Sequence, residues 1–227
     1  MKPMQAISAL ALLAGVAGGV RAQDVPQDIP KNELPQKAVC AVCELQGSAH
    51  GEERPAAGVR YKGKAYYFCN GKEAAAFKQA PEDYMPPVLP RPAPKFTLKT
   101  LEEKETTLND YKGKILLVDF WATWCKPCVE TMPEMQKLQE KYAAKGLVVL
   151  GVSIDEKGVK AVRPFVQKRK FTYPILLDGG DRPAWREFGV KSVPALFLVS
   201  REGQIVRQWT GKPKKGDVEE AVQSALK

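Results

Sequence analysis

Trp121-Ala122-Thr123-Trp124-Cys125-Lys126-Pro127-Cys128 places two thiols three residues apart, and what flanks the pair decides the fold. Before it, Lys114-Ile115-Leu116-Leu117-Val118-Asp119-Phe120 is almost wholly apolar, the pattern of a buried strand. After it, Met132, Met135, Leu138 and Tyr142 recur at helical spacing. A strand running into a helix puts Cys125 at the helix N-terminus, where unpaired N–H groups and the macrodipole favour a thiolate over a thiol. Cys125 is therefore the expected nucleophile. Cys128, one turn further in, is expected to be less exposed and to serve as the resolving thiol, attacking a mixed disulfide from within. Lys126 sets a cation beside the thiolate, which favours the dithiol and makes the disulfide more oxidising. One pKa unit corresponds to about 1.4 kcal/mol, or roughly 30 mV for a two-electron couple. A shift of that size does not turn a reductant into a strong oxidant.

A Trp-Cys-x-x-Cys after a strand, with Ser192-Val193-Pro194-Ala195-Leu196-Phe197 far downstream, resembles the thioredoxin-like proteins. The resemblance implies that Val193-Pro194 is a cis-proline loop facing the cysteines and pairing its backbone with substrate; a cis X-Pro bond costs only about 1 kcal/mol. With Trp124, Lys126 and Pro127 it makes up the expected substrate-binding rim. Over residues 96–227 the chain is most similar to the TlpA/ResA-like thiol-disulfide reductases. Phe96-Thr97-Leu98 through Asp110-Tyr111-Lys112-Gly113-Lys114 matches that family's N-terminal hairpin. Leu147-Val148-Val149-Leu150-Gly151-Val152-Ser153-Ile154-Asp155 matches its second core strand, and residues 159–178 its inserted helix and strand. Peroxiredoxins share the insertion but need a Thr-x-x-Cys centre without a paired second cysteine, where this chain has Cys-x-x-Cys. The implied fold is α/β: a thioredoxin fold with a central mixed sheet flanked by helices, an N-terminal hairpin and a TlpA-like insertion, over residues 95–227.

The resemblance also implies roles for two acids. Asp119, six residues before Cys125, stands where thioredoxin-like proteins bury a carboxylate that passes protons to and from Cys128. An acid in an apolar strand is costly without such a role. Glu156 falls where ResA-like proteins carry a second acid near the active site; a solvated helix start is the plainer reading. The implied activity is reduction of disulfides in partner envelope proteins, recharged by an upstream thiol reductant, with no cofactor at the redox centre. A non-catalytic adaptor using the fold only as a surface is disfavoured, because both cysteines and the Val193-Pro194 loop are present.

Residues 1–22 read as a secretory signal peptide: a basic start at Lys2, an apolar run over 6–20, and small residues Val20 and Ala22 before a cut ahead of Gln23. The other reading is an uncleaved anchor, although the run is shorter than the ~20 residues a spanning helix needs. Export implies the periplasm, an oxidising compartment in which a partner must keep the thiols reduced. Membrane contact is then expected only through the electron donor or an uncleaved signal. The formal charge of +9 falls to +7 without the signal. Lysines and arginines are scattered rather than gathered in a stripe with interleaved aromatics, so nucleic-acid binding is not expected.

Residues 86–94 form a proline-dense linker, expected to be stiff and extended. Ahead of it, after a linker over 23–37, residues 38–85 form a small cysteine-rich α+β module. Cys40-Ala41-Val42-Cys43 is followed by Tyr61 to Phe68, alternating around Gly63 as a hairpin, then by Cys69 and a helix over 72–79. The run Tyr-Lys-Gly-Lys-x-Tyr-Tyr-Phe-Cys, with Phe77, Pro81 and Tyr84, resembles the YHS/TRASH-type metal-binding modules. Such modules are too small for a large apolar core and use a four-cysteine clasp. Here Glu73 stands where the fourth cysteine belongs. The candidate ligands are Cys40, Cys43, Cys69 and either Glu73 or His50, the single histidine. Zinc suits a tetrahedron of three thiolates plus Glu or His; copper, as the cuprous ion, suits three thiolates alone. A module that has lost its metal and serves for packing or docking is the alternative, as is a metal-handling protein that reduces the cysteines of a metal-receiving partner.

Overall fold

The computed structural model describes residues 24–45, 51–180 and 182–227. The signal-peptide segment 1–22 and His50 lie outside the described residues. No helix among the described residues is long and apolar enough to cross a membrane.

The N-terminal module is built on the expected hairpin. Strands β2 (Ala57–Tyr61) and β3 (Lys64–Phe68) pair antiparallel across Lys62-Gly63. Both turn residues have positive φ, 48° and 75°, as a two-residue hairpin turn demands, and glycine takes the second without steric cost. Helix α1 (Ala41–Leu45) carries Cys43, and α2 (Gly71–Gln79) closes the hairpin by placing Phe77 at the centre of an aromatic group. Its ring centroid lies 4.8 Å from that of Tyr66 and 5.2 Å from that of Phe68. Of the stretch 23–37 expected as a linker, the described residues 24–37 are part of this module. Strand β1 (Gln27–Asp28) pairs with β2, and Ile29 is buried. Ile29 and Leu34 lie so close over Gly58 that a Cβ there would come within 2.8 Å of Leu34. Two residues of strand with one buried apolar side chain are too short a signal for hydrophobic periodicity to register.

The second correction concerns 86–94. Its latter half is the edge strand β4 (Arg91–Pro92) of the large sheet, paired with β11 (Gln204–Thr210), and Ala93 is buried in that domain. A proline on an edge strand forfeits no ladder bond the sheet needs. The segment therefore does not hold the two units apart as a free spacer. Met85 and Pro87 line a hollow together with Arg91, Phe188 and Lys191.

The large domain is an eight-stranded mixed sheet of order β4-β11-β10-β7-β8-β9-β5-β6. Its centre is β7 (Ile115–Trp121) and β8 (Leu147–Ser153), parallel and joined by α3 (Lys126–Tyr142). The insertion follows as α4 (Val159–Arg169) and β9 (Ile175–Leu177), which lies parallel to β8. The hairpin β5 (Thr97–Thr100) and β6 (Glu105–Thr107) adds antiparallel to β9. On the other side β10 (Ala195–Val199) runs antiparallel to β7, then β11 to β10. All seven residues of β7 are buried because the strand is covered on both faces, which is why it reads as a continuous apolar run. Ile115, Leu117 and Trp121 pack under α3, α4 and α6 (Asp217–Ala225), while Leu116, Val118 and Phe120 pack with Phe188 near α5 (Ala184–Glu187). Asp119 shares the first of these faces by alternation. The expected thioredoxin architecture, hairpin and insertion are all present.

Candidate active site and a second cysteine cluster

Cys125 is itself the N-cap of α3, and its Sγ accepts a hydrogen bond from the Cys128 backbone N–H at 3.2 Å. That amide belongs to the first turn, where no intrahelical carbonyl is available to it, so negative charge developing on the sulfur is stabilised. Pro127 sits in the same turn, where its missing N–H costs nothing. The two cysteines are joined as a disulfide. Cys125 retains 5% exposure and Cys128 none, the order expected of an attacking and a resolving thiol. Trp124 beside them is 69% exposed, an unusual place for so large an apolar side chain, and Lys126 and Pro127 are exposed with it.

The Val193-Pro194 peptide is cis, and β10 begins at the next residue. Ala195 pairs with Phe120, just before the active-site loop, and Val193 packs against the apolar cluster containing both cysteines. The redox pair and the proline loop, about seventy residues apart in the chain, thus meet at one end of the sheet.

Asp119 is fully buried and neither carboxylate oxygen has a hydrogen-bond partner among the described residues. Burial alone pushes its pKa up to about 7. In the sheet it lies between Leu196 and Gly151. Gly151 has to be glycine: a Cβ there would come within 2.7 Å of Ile175 and 2.9 Å of Tyr173. The Tyr173 hydroxyl and the Trp121 indole N–H are also buried without partners among the described residues, so polar groups gather around this bare backbone position. The Tyr173 hydroxyl is held well above its usual pKa by burial and by the charge of Asp119.

Glu156 is exposed and lines a hollow with Thr97, Lys99, Leu177 and its neighbour Asp155. The acid that the structure ties to the active-site loop is its neighbour. Asp155 is 6% exposed and accepts from the Thr123 N–H at 2.9 Å, the Thr123 hydroxyl at 2.6 Å and the Ser153 hydroxyl at 2.8 Å. It staples the residue two before Cys125 to the end of β8. The Ser-x-Asp pattern at a strand end was the available signal, but only the fold shows that Thr123 is what it holds.

In the N-terminal module, Cys40, Cys43, Cys69 and Glu73 converge, with their ligand atoms within 4.8 Å of one another. One Glu73 oxygen accepts from both Cys40 and Cys69 at 3.1 Å, and the Cys43 and Cys69 sulfurs are 3.9 Å apart. A tetrahedral zinc with bonds of about 2.3 Å to sulfur needs sulfurs roughly 3.8 Å apart, so this donor set fits such an ion with little movement. Without an ion, the hydrogen bond to Glu73, followed by burial, pushes the Cys69 thiol up to about 12. Burial, followed by Cys40, raises that of Cys43.

A family model described as the AhpC/TSA family matches residues 89–208. The thiol-disulfide oxidoreductase ResA of Bacillus thuringiensis is 36% identical over 128 residues, covering 56% of this chain and 73% of that protein. The thioredoxin-like protein YneN of Bacillus subtilis is 40% identical over 129 residues, covering 56% and 75%. Among solved structures, the thioredoxin domain of a thiol-disulfide oxidoreductase from Bacteroides vulgatus superposes with a TM-score of 0.57 at 26% identity, covering 63% of this chain and all of that one. A thiol:disulfide interchange protein from Chlorobium tepidum gives 0.54 at 27%, with the same coverage.

Proposed function

The chain belongs to the AhpC/TSA family, and from that premise we propose that it works as a periplasmic reductant of disulfides in partner proteins. It is a thiol-disulfide oxidoreductase of the ResA-like thioredoxin group. The observation that carries thiol–disulfide exchange is the buried Asp119, without a hydrogen-bond partner among the described residues, on the sheet face beneath a helix-capping Cys125. In the reduced protein the Cys125 thiolate attacks one sulfur of the partner's disulfide; that bond breaks and a mixed disulfide forms. Cys128 then attacks the Cys125 sulfur, releasing the partner as a dithiol and leaving the Cys125–Cys128 disulfide. Two electrons pass to the partner, and a thiol reductant of the envelope returns them. Cys128 must lose its proton to attack, and a carboxyl poised near neutrality is suited to take it.

Pre-reduced Cys128→Ser protein mixed with an oxidised model protein tests this. A stable adduct with the mass of one mixed disulfide is expected, whereas wild type should yield free partner thiols and no adduct. Unchanged partner thiols with wild type would overturn the reading. Export rests on the signal-like residues 1–22; an intact mass beginning at Gln23 in envelope protein is the expected result, and a full-length mass would refute cleavage.

A second function has its own support in the Cys40, Cys43, Cys69 and Glu73 cluster. These residues hold a zinc ion that supplies a structural clasp to a module with few buried apolar residues. Reduced protein purified without chelator should carry about one zinc per chain, and Glu73→Cys should bind it more tightly. Protein without metal, folded after all three cysteines are changed to serine, would leave docking as the module's role.

A further inference from the structure

We propose that the rim around Cys125 selects disulfides carried on acidic protein surfaces, an inference that rests on the disulfide-reducing function and names its substrate class. Three segments make up the rim. The first is the start of α3, with Trp124, Lys126 and Pro127 exposed. The second is the loop into the cis-proline, with Lys191 exposed three residues before Pro194. The third is the loop leaving β11. Thr210 pairs with Ala195, and the Gly211 N–H donates to the Pro194 carbonyl at 2.8 Å, so the start of this loop is anchored to the proline loop. From there Lys212 reaches Glu130 on α3 at 2.7 Å, which closes the ring.

Cations outnumber acids on this ring. Lys126, Lys191, Lys212, Lys214 and Lys215 are all exposed. Of the acids beside these segments, Glu130 is paired with Lys212, Asp217 with the Trp209 indole at 2.6 Å and Arg207, and Glu187 with Arg182, while Glu220 stands exposed beside Lys212, Lys214 and Lys215. Lys126, Lys191, Lys214 and Lys215 enter no ion pair among the described residues. Four lysines without an ion pair, against one such acid, Glu220, leave a net positive rim facing a partner that brings its cystine to Cys125. Such a field speeds encounter with an acidic surface and repels a basic one. Trp124 in the middle supplies the apolar contact on which a docked partner can settle. The exchange itself is unchanged: the partner's S–S bond is reduced to two thiols as the Cys125–Cys128 disulfide forms.

The test uses the pre-reduced full chain and three peptides closed by the same cystine, flanked by glutamates, glutamines or lysines. Each rate is divided by the peptide's rate with dithiothreitol, which removes the flanking charge's own effect on the sulfur. At 20 mM NaCl the glutamate peptide should be reduced about tenfold faster than the lysine peptide, and the ratio should approach one at 0.5 M. The triple variant Lys191→Glu, Lys214→Glu, Lys215→Glu should invert the ratio at low salt. Equal normalised rates at low salt, or a ratio that the triple variant leaves untouched, would overturn the selectivity. Failure to reduce any of the three peptides, glutamine included, would instead count against the disulfide-reducing function.

Discussion

Two sites in this molecule are assembled from the same materials, cysteines and one carboxylate at the start of a helix, and their thiols are set to opposite purposes. At α3 the thiol itself is the cap: Cys125 Sγ receives the Cys128 N–H, and Asp119 lies beneath in the sheet without a hydrogen bond. At α2 the cap is Asn70, whose side chain accepts the Glu73 N–H at 2.9 Å, which leaves Cys69 outside the helix and against the Glu73 carboxylate. An amide dipole aimed at sulfur favours the thiolate, whereas a carboxylate bonded to it favours the thiol. The first arrangement makes a nucleophile. The second holds protons that a cation would replace. What separates them is which side chain takes the first free amide and where the acid stands.

The largest expected effect breaks the comparison at its centre. Cys125→Ser should lower disulfide-reducing turnover by roughly a thousandfold or more, as loss of a nucleophile does, while Cys69→Ser leaves it within twofold. Comparable losses in both variants would mean that the two sites act as one.

The next tests the buried acid. With a folded pKa of about 7 against 3.8 for a free aspartate, Asp119 keeps its proton in the folded chain while the unfolded chain has lost it. Folding therefore takes up a proton, so this group's contribution to stability falls as pH rises from about 4 to about 7 and then levels off. Asp119→Asn should match wild type in denaturant melts near pH 4 and exceed it by a few kcal/mol at pH 8. It should also slow reduction, because the acceptor for the Cys128 proton is gone. Parallel stability curves for the two proteins would refute the buried, unpaired carboxyl.

Glu73→Gln sharpens the contrast from the other side. Replacing the carboxylate whose hydrogen bond raises the Cys69 thiol by a weaker amide acceptor should increase its alkylation by iodoacetamide at pH 8 by about tenfold in metal-free protein, one pKa unit being tenfold in thiolate. A rate equal to wild type would show that the carboxylate does not govern that thiol. The smallest effect concerns the staple. Asp155→Asn sets an amide donor against the Thr123 N–H or hydroxyl and should cost about 1 kcal/mol in chemical denaturation, with faster hydrogen exchange at the Thr123 amide.

Much of this was open to reading along the chain. Ile115 to Trp121 and Met132 to Tyr142 announce strand and helix because each is a long segment of one period, and Cys125 and Cys128 sit at their junction. The short elements gave no such signal: β1 and β4 are two residues each, and both fell inside stretches expected to be linkers. Of the acids near the redox site, Asp119 stood out as the one polar residue of an apolar run. Asp155 did not, because a strand-end aspartate beside Glu156 looks like any solvated helix start until Thr123 is folded against it.

By itself the sequence determined the redox pair, the order of the two thiols, the strand–helix–strand core that presents them, and the three cysteines of the second cluster, since these follow from residue type and spacing. The tertiary structure alone decided what depends on packing between elements distant in sequence. It left Asp119 without a hydrogen-bond partner among the described residues between Leu196 and Gly151, gave Asp155 to the active-site loop, and brought the loops carrying Lys191 and Lys212 to one rim. Hydrophobic periodicity states which face of an element is buried, but not which other element covers it, and desolvation, hydrogen bonding and charge clustering are all properties of that covering.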